Sequence, residues 1–443
     1  MNGPDGPDGP ALLAWLAEQR WFGAKGGTVE LADVVSVPLA EDPPLALDVI
    51  TLDRPDRAGP DRYQLLRGGA GEDALADPRA AAALVDLFRR RATCRAGPAS
   101  VTFCWDEDRP PPPPGPVRPL GLEQSNSSVV VDEAFVVKVF RRLEPGENPE
   151  LELLRFLGRH GFTAVAPVAG WYRLDDGDGT TTLGVVQELV VPSRDGWGYV
   201  LDALAGGDRD AGTLLAPLRS LGTVLGELHR VLASDPDNPD FAPEPAPPGA
   251  PAEVAAVLAA GAEELFAQID PGGPAGPLAG RAEDVAVLAE RLAAAVAGGR
   301  HIRHHGDLHL GQTLLTPRGW VILDFEGEPA RSLADRRARR SPLRDVAGML
   351  RSFAYAVAAS ERATGRPAAG EWEAAARAAF LDGYLATVDP TLLPATAPAV
   401  VALLALLELE KVVYELGYEL GNRPDWAAIP AAGLLRLLDG AGR

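Results

Sequence analysis

The chain has 443 residues, 46% hydrophobic and 23% charged, with a net charge of −20 and two cysteines. This is a globular composition too long for one core, so two or three lobes are expected. The acidic surface argues against nucleic acid or an anionic membrane as partner, and the two cysteines give neither a zinc spacing nor a disulfide framework.

No run of about 18 apolar residues reads as a membrane span. Met1–Pro10, rich in Gly, Pro and Asp, does not read as a signal peptide. The cytoplasm is therefore the expected compartment.

In chain order, Leu12–Arg20 reads as a short helix, Thr28–Val37 and Ala46–Leu52 as strands, and Pro78–Arg90 as a helix. Gly68–Gly71 is glycine-rich but precedes no helix start and reads as a loop. The proline run Arg109–Pro116 is stiff and is expected to space two domains. Beyond it, Ser128–Val131 and Phe135–Phe140 form a predicted hairpin across Asp132-Glu133. Pro149–His160 carries an apolar stripe at Leu151, Leu154 and Leu157, and Trp171–Leu174 with Thr181–Leu189 makes a second hairpin.

From Gly196 the pattern is mainly helical: Gly212–Ser234, Ala252–Gln268, Ala282–Ala297, Leu343–Thr364, Glu371–Ala386 and Pro398–Leu420. Asp235–Pro251 and Asp270–Gly280 read as long surface loops within this part. The expected fold class is α+β: an N-terminal cap over residues 1–95, a small β-rich lobe over 96–192 and a larger helical lobe over 193–443.

The helical series is interrupted at 301–326. Here His305-Gly306-Asp307-Leu308-His309 precedes Gln312, a short hairpin spans Thr313–Leu323, and Asp324 and Glu326 follow. The spacing is that of a kinase-type catalytic loop with its metal-binding aspartate. Asp307 is the candidate base that orients a hydroxyl. Gln312 and Asp324 offer hard oxygens to Mg²⁺, and Glu326 reads either as a further ligand or as a loop carboxylate.

Four of the six histidines lie at 301, 304, 305 and 309. Zinc ligation by His305 and His309 would need a helix, which Gly306 and Gly311 break, so these histidines are expected to brace the loop.

Lys138, mid-strand between apolar neighbours, reads either as a solvent-facing lysine or as a contact to the nucleotide phosphates. Glu152, ahead of Glu150, is its expected partner. Ser125, Asn126, Ser127 and Ser128 could present backbone amides to phosphate, and Gln187, Glu188 and Val190 lie where an adenine hinge would run. ATP with Mg²⁺ is the implied cofactor. Neither a P-loop nor a Gly-x-Ser-x-Gly elbow occurs.

Arg331–Arg340 holds five arginines and reads as a solvated loop, or else as a set of phosphate-neutralising cations. Arg344 and Asp345 open the next helix, the aspartate placed to support the catalytic loop. Lys411, Tyr414 and Glu415 at helical spacing, followed by Asn422, Arg423 and Trp426, suit a sugar site; a plain amphipathic helix with a Lys411–Glu415 pair is the alternative.

His305–Gln312, Leu323–Pro329, Ser341–Met349, Gln19–Lys25, Glu123–Ser128, and Tyr414-Glu415 with Asn422–Trp426 resemble actinobacterial maltokinases in blocks across nearly the whole chain. The resemblance implies a bilobal protein-kinase-like, aminoglycoside-phosphotransferase-like fold with an N-terminal cap. It implies ATP-dependent phosphorylation of maltose or a related sugar at the anomeric hydroxyl, feeding α-glucan synthesis, and association with trehalose synthase. It places Asp307 as catalytic aspartate, Gln312 and Asp324 as magnesium ligands and Lys138 as phosphate-contacting lysine. Arg344, Lys411, Tyr414, Glu415, Asn422, Arg423 and Trp426 are the candidate acceptor residues. Glucosamine or an aminoglycoside is the alternative acceptor, and a non-enzymatic nucleotide-binding scaffold the alternative class.

Overall fold

Asp132 and Glu133 take positive φ, 49° and 48°, and Ala134 N–H donates to Val131 O at 3.0 Å. This is the turn whose twist matches that of paired strands. The hairpin it closes, expected from the sequence, lies inside the first of two compact units, Met1–Val191 with Pro329–Leu333. The second is Pro192–Glu328 with Ala334–Arg443. The computed structural model describes residues 9–23, 28–55, 59–68, 73–112, 115–121, 126–177, 179–191, 193–207, 212–329, 331–366 and 371–440.

The first unit begins with α1 (Gly9–Glu18), then β1 (Glu30–Glu41), β2 (Pro44–Asp53), β3 (Asp61–Gly68), α2 (Pro78–Arg89), β4 (Thr93–Ala96) and β5 (Ala99–Trp105). It continues with β6 (Val117–Pro119), β7 (Asn126–Val131), β8 (Phe135–Phe140), β9 (Arg142–Leu143), α3 (Pro149–Arg159), β10 (Val168–Asp175) and β11 (Thr180–Glu188). One sheet runs β1-β2-β3-β9 and a larger one β4-β5-β10-β11-β8-β7-β6.

Both sheets bury side chains in a single apolar core that includes Leu47, Leu84, Phe88, Phe103, Val129, Tyr172 and Val185. Helix α2 starts where Asp77 accepts from Arg79 N and Pro78 presets the first turn. Helix α3 starts likewise at Asn148-Pro149 and buries Leu151, Leu154 and Leu157 as its stripe predicts.

The proline run corrects the sequence reading. Its flanking strands β5 and β6 belong to the same sheet, and Trp105 Nε1 donates to Pro110 O at 3.1 Å. It is a connection within one sheet and separates no domains. The boundary expected at 95/96 falls inside β4.

The second unit holds β12 (Arg194–Asp195), α4 (Gly196–Ala205), α5 (Leu215–Leu232), β13 (Glu244–Pro245), α6 (Ala250–Phe266), α7 (Ala282–Ala294) and β14 (Arg300–His301). Then come β15 (Thr313–Thr316), β16 (Gly319–Ile322), α8 (Leu343–Thr364), α9 (Trp372–Leu385), α10 (Ala397–Asn422) and α11 (Ala428–Gly440). The hairpin β15–β16 forms a three-stranded sheet with β12.

Helices α5 and α9 cross at two glycines. A Cβ on Gly222 would stand 2.0 Å from Phe380 O, and one on Gly383 2.0 Å from Arg219 O. Only glycine permits that approach. No described helix is long and apolar enough to cross a membrane.

Candidate active site

The loop that carries Asp307 is built from its ends inward. Ile302 and Arg340 exchange two backbone hydrogen bonds of 2.9 Å, tying the entry of the loop to the chain ahead of α8. In the first turn of α8, Asp345 accepts from His305 N at 2.8 Å and Gly306 N at 2.9 Å. Its carboxylate also receives His229 Nε2 at 3.0 Å, and His229 Nδ1 lies 3.0 Å from the Tyr384 hydroxyl.

Burial alone would raise the Asp345 pKa, but the hydrogen bond from His229 and the neighbouring histidines outweigh it and hold the carboxyl well below the usual range. The support expected of Asp345 is therefore present, with His229 and Tyr384 behind it. Sequence reasoning missed those two. The available signal was a lone histidine on the buried face of α5, among Leu218, Leu221, Leu225, Leu228 and Leu232.

His305 joins the two carboxylate-bearing segments. Its Nε2 donates to Leu323 O at 2.8 Å while Nδ1 accepts from Asp307 N at 3.3 Å. His309 Nδ1 accepts from Gly311 N at 3.1 Å. Burial pushes the His304 imidazole down to about 3 and lowers His309 as well. Among the described residues no cluster of three liganding side chains includes a histidine. His305 and His309 brace the loop through these contacts.

Gln312 Nε2 donates to Asp324 Oδ2 at 2.7 Å, and Asp324 itself takes φ 63°, a left-handed backbone that costs a non-glycine residue about 1–2 kcal/mol. The Gln312 carbonyl and the Asp324 carboxylate are hard oxygens on adjoining side chains, the donor type that magnesium takes. Glu326 presents its backbone carbonyl to Arg336 Nη1 at 3.1 Å.

Asp307 Oδ1 lies 3.3 Å from Lys411 Nζ. The Lys411 ammonium sits 5.2 Å from the centre of the Tyr414 ring, and burial, followed by a hydrogen bond to Glu328, pushes the Tyr414 phenol up.

The other acceptor candidates separate. Arg344 pairs with Glu410 at 2.8 Å. Glu415 receives Arg351 through Nε and Nη2 at 2.9 and 2.8 Å in a buried pair, so it braces α8 against α10 and makes no i, i+4 pair with Lys411. Asn422 donates to Tyr418 O at 2.9 Å, and Arg423 grips Glu419 and lies 5.2 Å from the Trp426 ring. These last three sit at the end of α10 and just beyond it, on the order of 16 Å along the axis from Lys411.

The basic segment 331–340 is not a freely solvated loop where it is described in this unit. Arg337 pairs with Asp240, Arg339 with Glu244 at 2.9 Å and with Pro239 O at 2.7 Å, and Arg336 holds the Glu326 carbonyl. The Pro- and Asp-rich insert thus answers Arg337 and Arg339.

In the first unit, Lys138 Nζ donates to Glu150 Oε2 at 2.8 Å, and Gln187 Nε2 to Glu150 Oε1 at 3.2 Å. The lysine is buried and does not face solvent. Its partner is Glu150, not the expected Glu152, because capping by Asn148 places Glu150 on the first turn of α3 facing the strand. Glu188 is ion-paired with Arg109. Ser128 is the strand partner of Lys138, whereas Ser127, on the opposite face, accepts from Arg141. Asn126 is buried at the start of β7, Val190 lies just beyond β11, and Ser125 lies outside the described residues.

The family model described as a phosphotransferase enzyme family (APH) matches residues 116–390, and that of a maltokinase N-terminal cap domain matches 15–86. A glucosamine kinase of Streptacidiphilus jiangxiensis is 32% identical over 333 residues, 72% of this chain and 73% of its own length. A glucosamine kinase of Mycolicibacterium smegmatis is 30% identical over 334 residues, 73% of this chain and 79% of its own. The solved structure of a glucosamine kinase in complex with glucosamine, ADP and inorganic phosphate has a TM-score of 0.66 at 24% identity, covering 93% of this chain and 94% of that one. The expected kinase-like fold with an N-terminal cap is borne out.

Proposed function

The chain belongs to the phosphotransferase enzyme family and bears a maltokinase N-terminal cap domain; from that premise, an ATP-dependent phosphotransferase acting on a hydroxyl, we propose that its acceptor is a neutral sugar, maltose, phosphorylated at the anomeric hydroxyl. The acceptor oxygen attacks the γ-phosphorus of ATP and its proton passes to Asp307. The bond to the β–γ bridging oxygen breaks, giving maltose 1-phosphate and ADP. Lys138, held by Glu150, contacts the nucleotide phosphates. Gln312 and Asp324 would hold magnesium, which when bound neutralises charge on the transferred phosphoryl group.

One observation carries the choice of a neutral acceptor. Four carboxylates facing or lining α10 are each answered by a cation of this chain: Asp307 by Lys411, Glu410 by Arg344, Glu415 by Arg351 and Glu419 by Arg423, while Glu328 meets the Tyr414 phenol. A protonated amino sugar would meet the Lys411 ammonium where it needs an anion, a repulsion of about 1–4 kcal/mol at 4 Å. Lys411, the Tyr414 ring and Arg344 suit sugar hydroxyls.

The second reading, glucosamine, rests on the two relatives of that name at 32% and 30% identity. ADP release with maltose, glucose, glucosamine and kanamycin decides between them, with phosphorus NMR fixing the phosphorylated atom. Maltose should turn over best and carry phosphate on its anomeric oxygen; phosphate on any other atom overturns the reading.

A further inference from the structure

Arg141 is the residue at which the chain leaves one sheet of the first unit for the other. Strand β8 ends at Phe140 in the seven-stranded sheet, and β9 starts at Arg142 beside β3 of the four-stranded sheet. Its side chain is among the largest fully buried ones described, 1% exposed. A buried guanidinium is tolerated only when its donors are answered. Here Nε donates to Ser127 Oγ at 2.8 Å, Nη2 to the Asp73 carboxylate, and Nη1 to Gln64 O at 3.5 Å. The guanidinium lies 5.0 Å from the Trp21 ring, and the Arg141 carbonyl accepts from Gln64 N at 2.8 Å.

Trp21, Gln64 and Asp73 all fall within the residues matched by the cap domain. Ser127 does not. It stands on β7 next to Ser128, and Ser128 is the strand partner of Lys138. Consecutive strand residues face opposite ways. Ser128 therefore shares a face with Lys138, while Ser127 turns to Arg141.

We infer that Arg141 is a positioning residue for the nucleotide: it fastens the start of β7 to the cap through Ser127 and Asp73, so that cap residues set how Ser128 and Lys138 meet the phosphates. The inference rests on the reading above that Lys138 contacts the nucleotide. It gives the cap a task in the reaction beyond covering apolar surface. A lysine here keeps the charge, but its single ammonium cannot reproduce the fork that reaches a hydroxyl on one side and a carboxylate on the other.

The test is calorimetric binding of ADP with Mg²⁺ to the full-length protein, which needs no acceptor, with melting temperatures measured in parallel. Ser127→Ala and Asp73→Asn should each weaken ADP by roughly five- to tenfold, the worth of one charge-assisted hydrogen bond. The double variant should be no weaker than the worse single one, since both act through Arg141. Arg141→Lys should match them; if it fails to fold, the two milder variants still decide.

A fall in melting temperature with ADP affinity within twofold of wild type means a merely structural role and overturns the inference. So does strict additivity in the double variant. Lys138→Ala separates the premises. If it loses ADP while Ser127→Ala and Asp73→Asn keep it, only the role of Arg141 falls. If it binds ADP as wild type does, the nucleotide reading falls and takes this inference with it.

Discussion

His229 Nε2 stands 3.0 Å from Asp345 Oδ2, and both side chains are closed off from solvent. The same carboxylate collects the amides of His305 and Gly306, so one anion anchors the backbone just ahead of Asp307. Asp345→Ala leaves two amides and an imidazole without their acceptor and should destabilise the protein by about 3–5 kcal/mol. Asp345→Asn keeps one acceptor oxygen and should cost less. Urea unfolding of both variants checks the order, and equal losses would refute the carboxylate's multiple role.

Acid should unfold the second unit early, and His304 is the group to watch. Its folded value of about 3 is set first by burial, opposed by Asp345 and reinforced by Arg344, His229 and Arg303. Its unfolded value is about 6.5. Between the two, the unfolded chain binds a proton that the folded chain refuses, so stability falls as pH drops from about 6.5 and the loss is complete near 3. The slope is at most about 1.4 kcal/mol per pH unit for this one proton. Asp345, held low in the fold, adds its loss only below the usual carboxylate value of about 3.9. Urea midpoints from pH 8 to 4 for wild type and His304→Gln should diverge as the variant loses the slope. Parallel curves would contradict the assignment.

Glu150→Gln should weaken the nucleotide more than Glu152→Gln. Glu150 bridges Lys138 and Gln187, and an amide in its place removes a full negative charge 2.8 Å from the buried ammonium. The KM for ATP is expected to rise about tenfold or more in the first variant, and Glu152→Gln should fall well short of it. The reverse order would restore the expectation read from the sequence.

That reversal shows where sequence stops. Both glutamates lie in the first turn of one helix, and choosing between them needs the orientation of α3, which Asn148 sets and no periodicity reveals. Other elements were legible. Helix α8 has the predicted limits, Leu343 and Thr364, because its apolar spacing ends in Gly365 at φ 65°. Strand β5 was also legible but overlooked: Ala99, Val101, Phe103 and Trp105 alternate on its buried face. Strand β3 was harder to see, since its buried face includes Gln64, whose amide spans Phe140 O and Leu183 O. The spacing of Asp307, Gln312 and Asp324 was readable because loop and hairpin are local in sequence. His229 and Tyr384 act through partners more than 60 residues away, as Arg141 does through Asp73, and left no local pattern.

Asp307→Asn and Asp324→Asn should each remove turnover without removing the fold. Loss of a positioned base typically costs about 10²–10⁴ in rate. The Asp307–Lys411 pair is only partly buried, at 27% and 29% exposure, so its stability contribution is about 1 kcal/mol or less. Chelation with EDTA should silence the wild type and Mg²⁺ should restore it. Turnover of Asp307→Asn near the wild-type rate would remove the base from the mechanism.

Lys411→Gln tests the acceptor argument most directly. The ammonium touches Asp307 on one side and lies over Tyr414 on the other, so its removal does two things. It takes a donor from a neutral sugar, and it exposes the negative charge of Asp307 to any cationic acceptor. Glutamine can still donate a hydrogen bond, so maltose should lose about 1–3 kcal/mol of transition-state binding, roughly 5- to 150-fold in kcat/KM. Glucosamine loses the same donor but escapes the like-charge repulsion, so its kcat/KM relative to maltose should rise by about tenfold or more. The comparison is internal to one variant, so a general folding defect cancels from the ratio. A ratio that stays constant, or that moves further toward maltose, would mean that Lys411 does not select for charge, and would leave the sugar preference to the groups around Arg423 and Trp426.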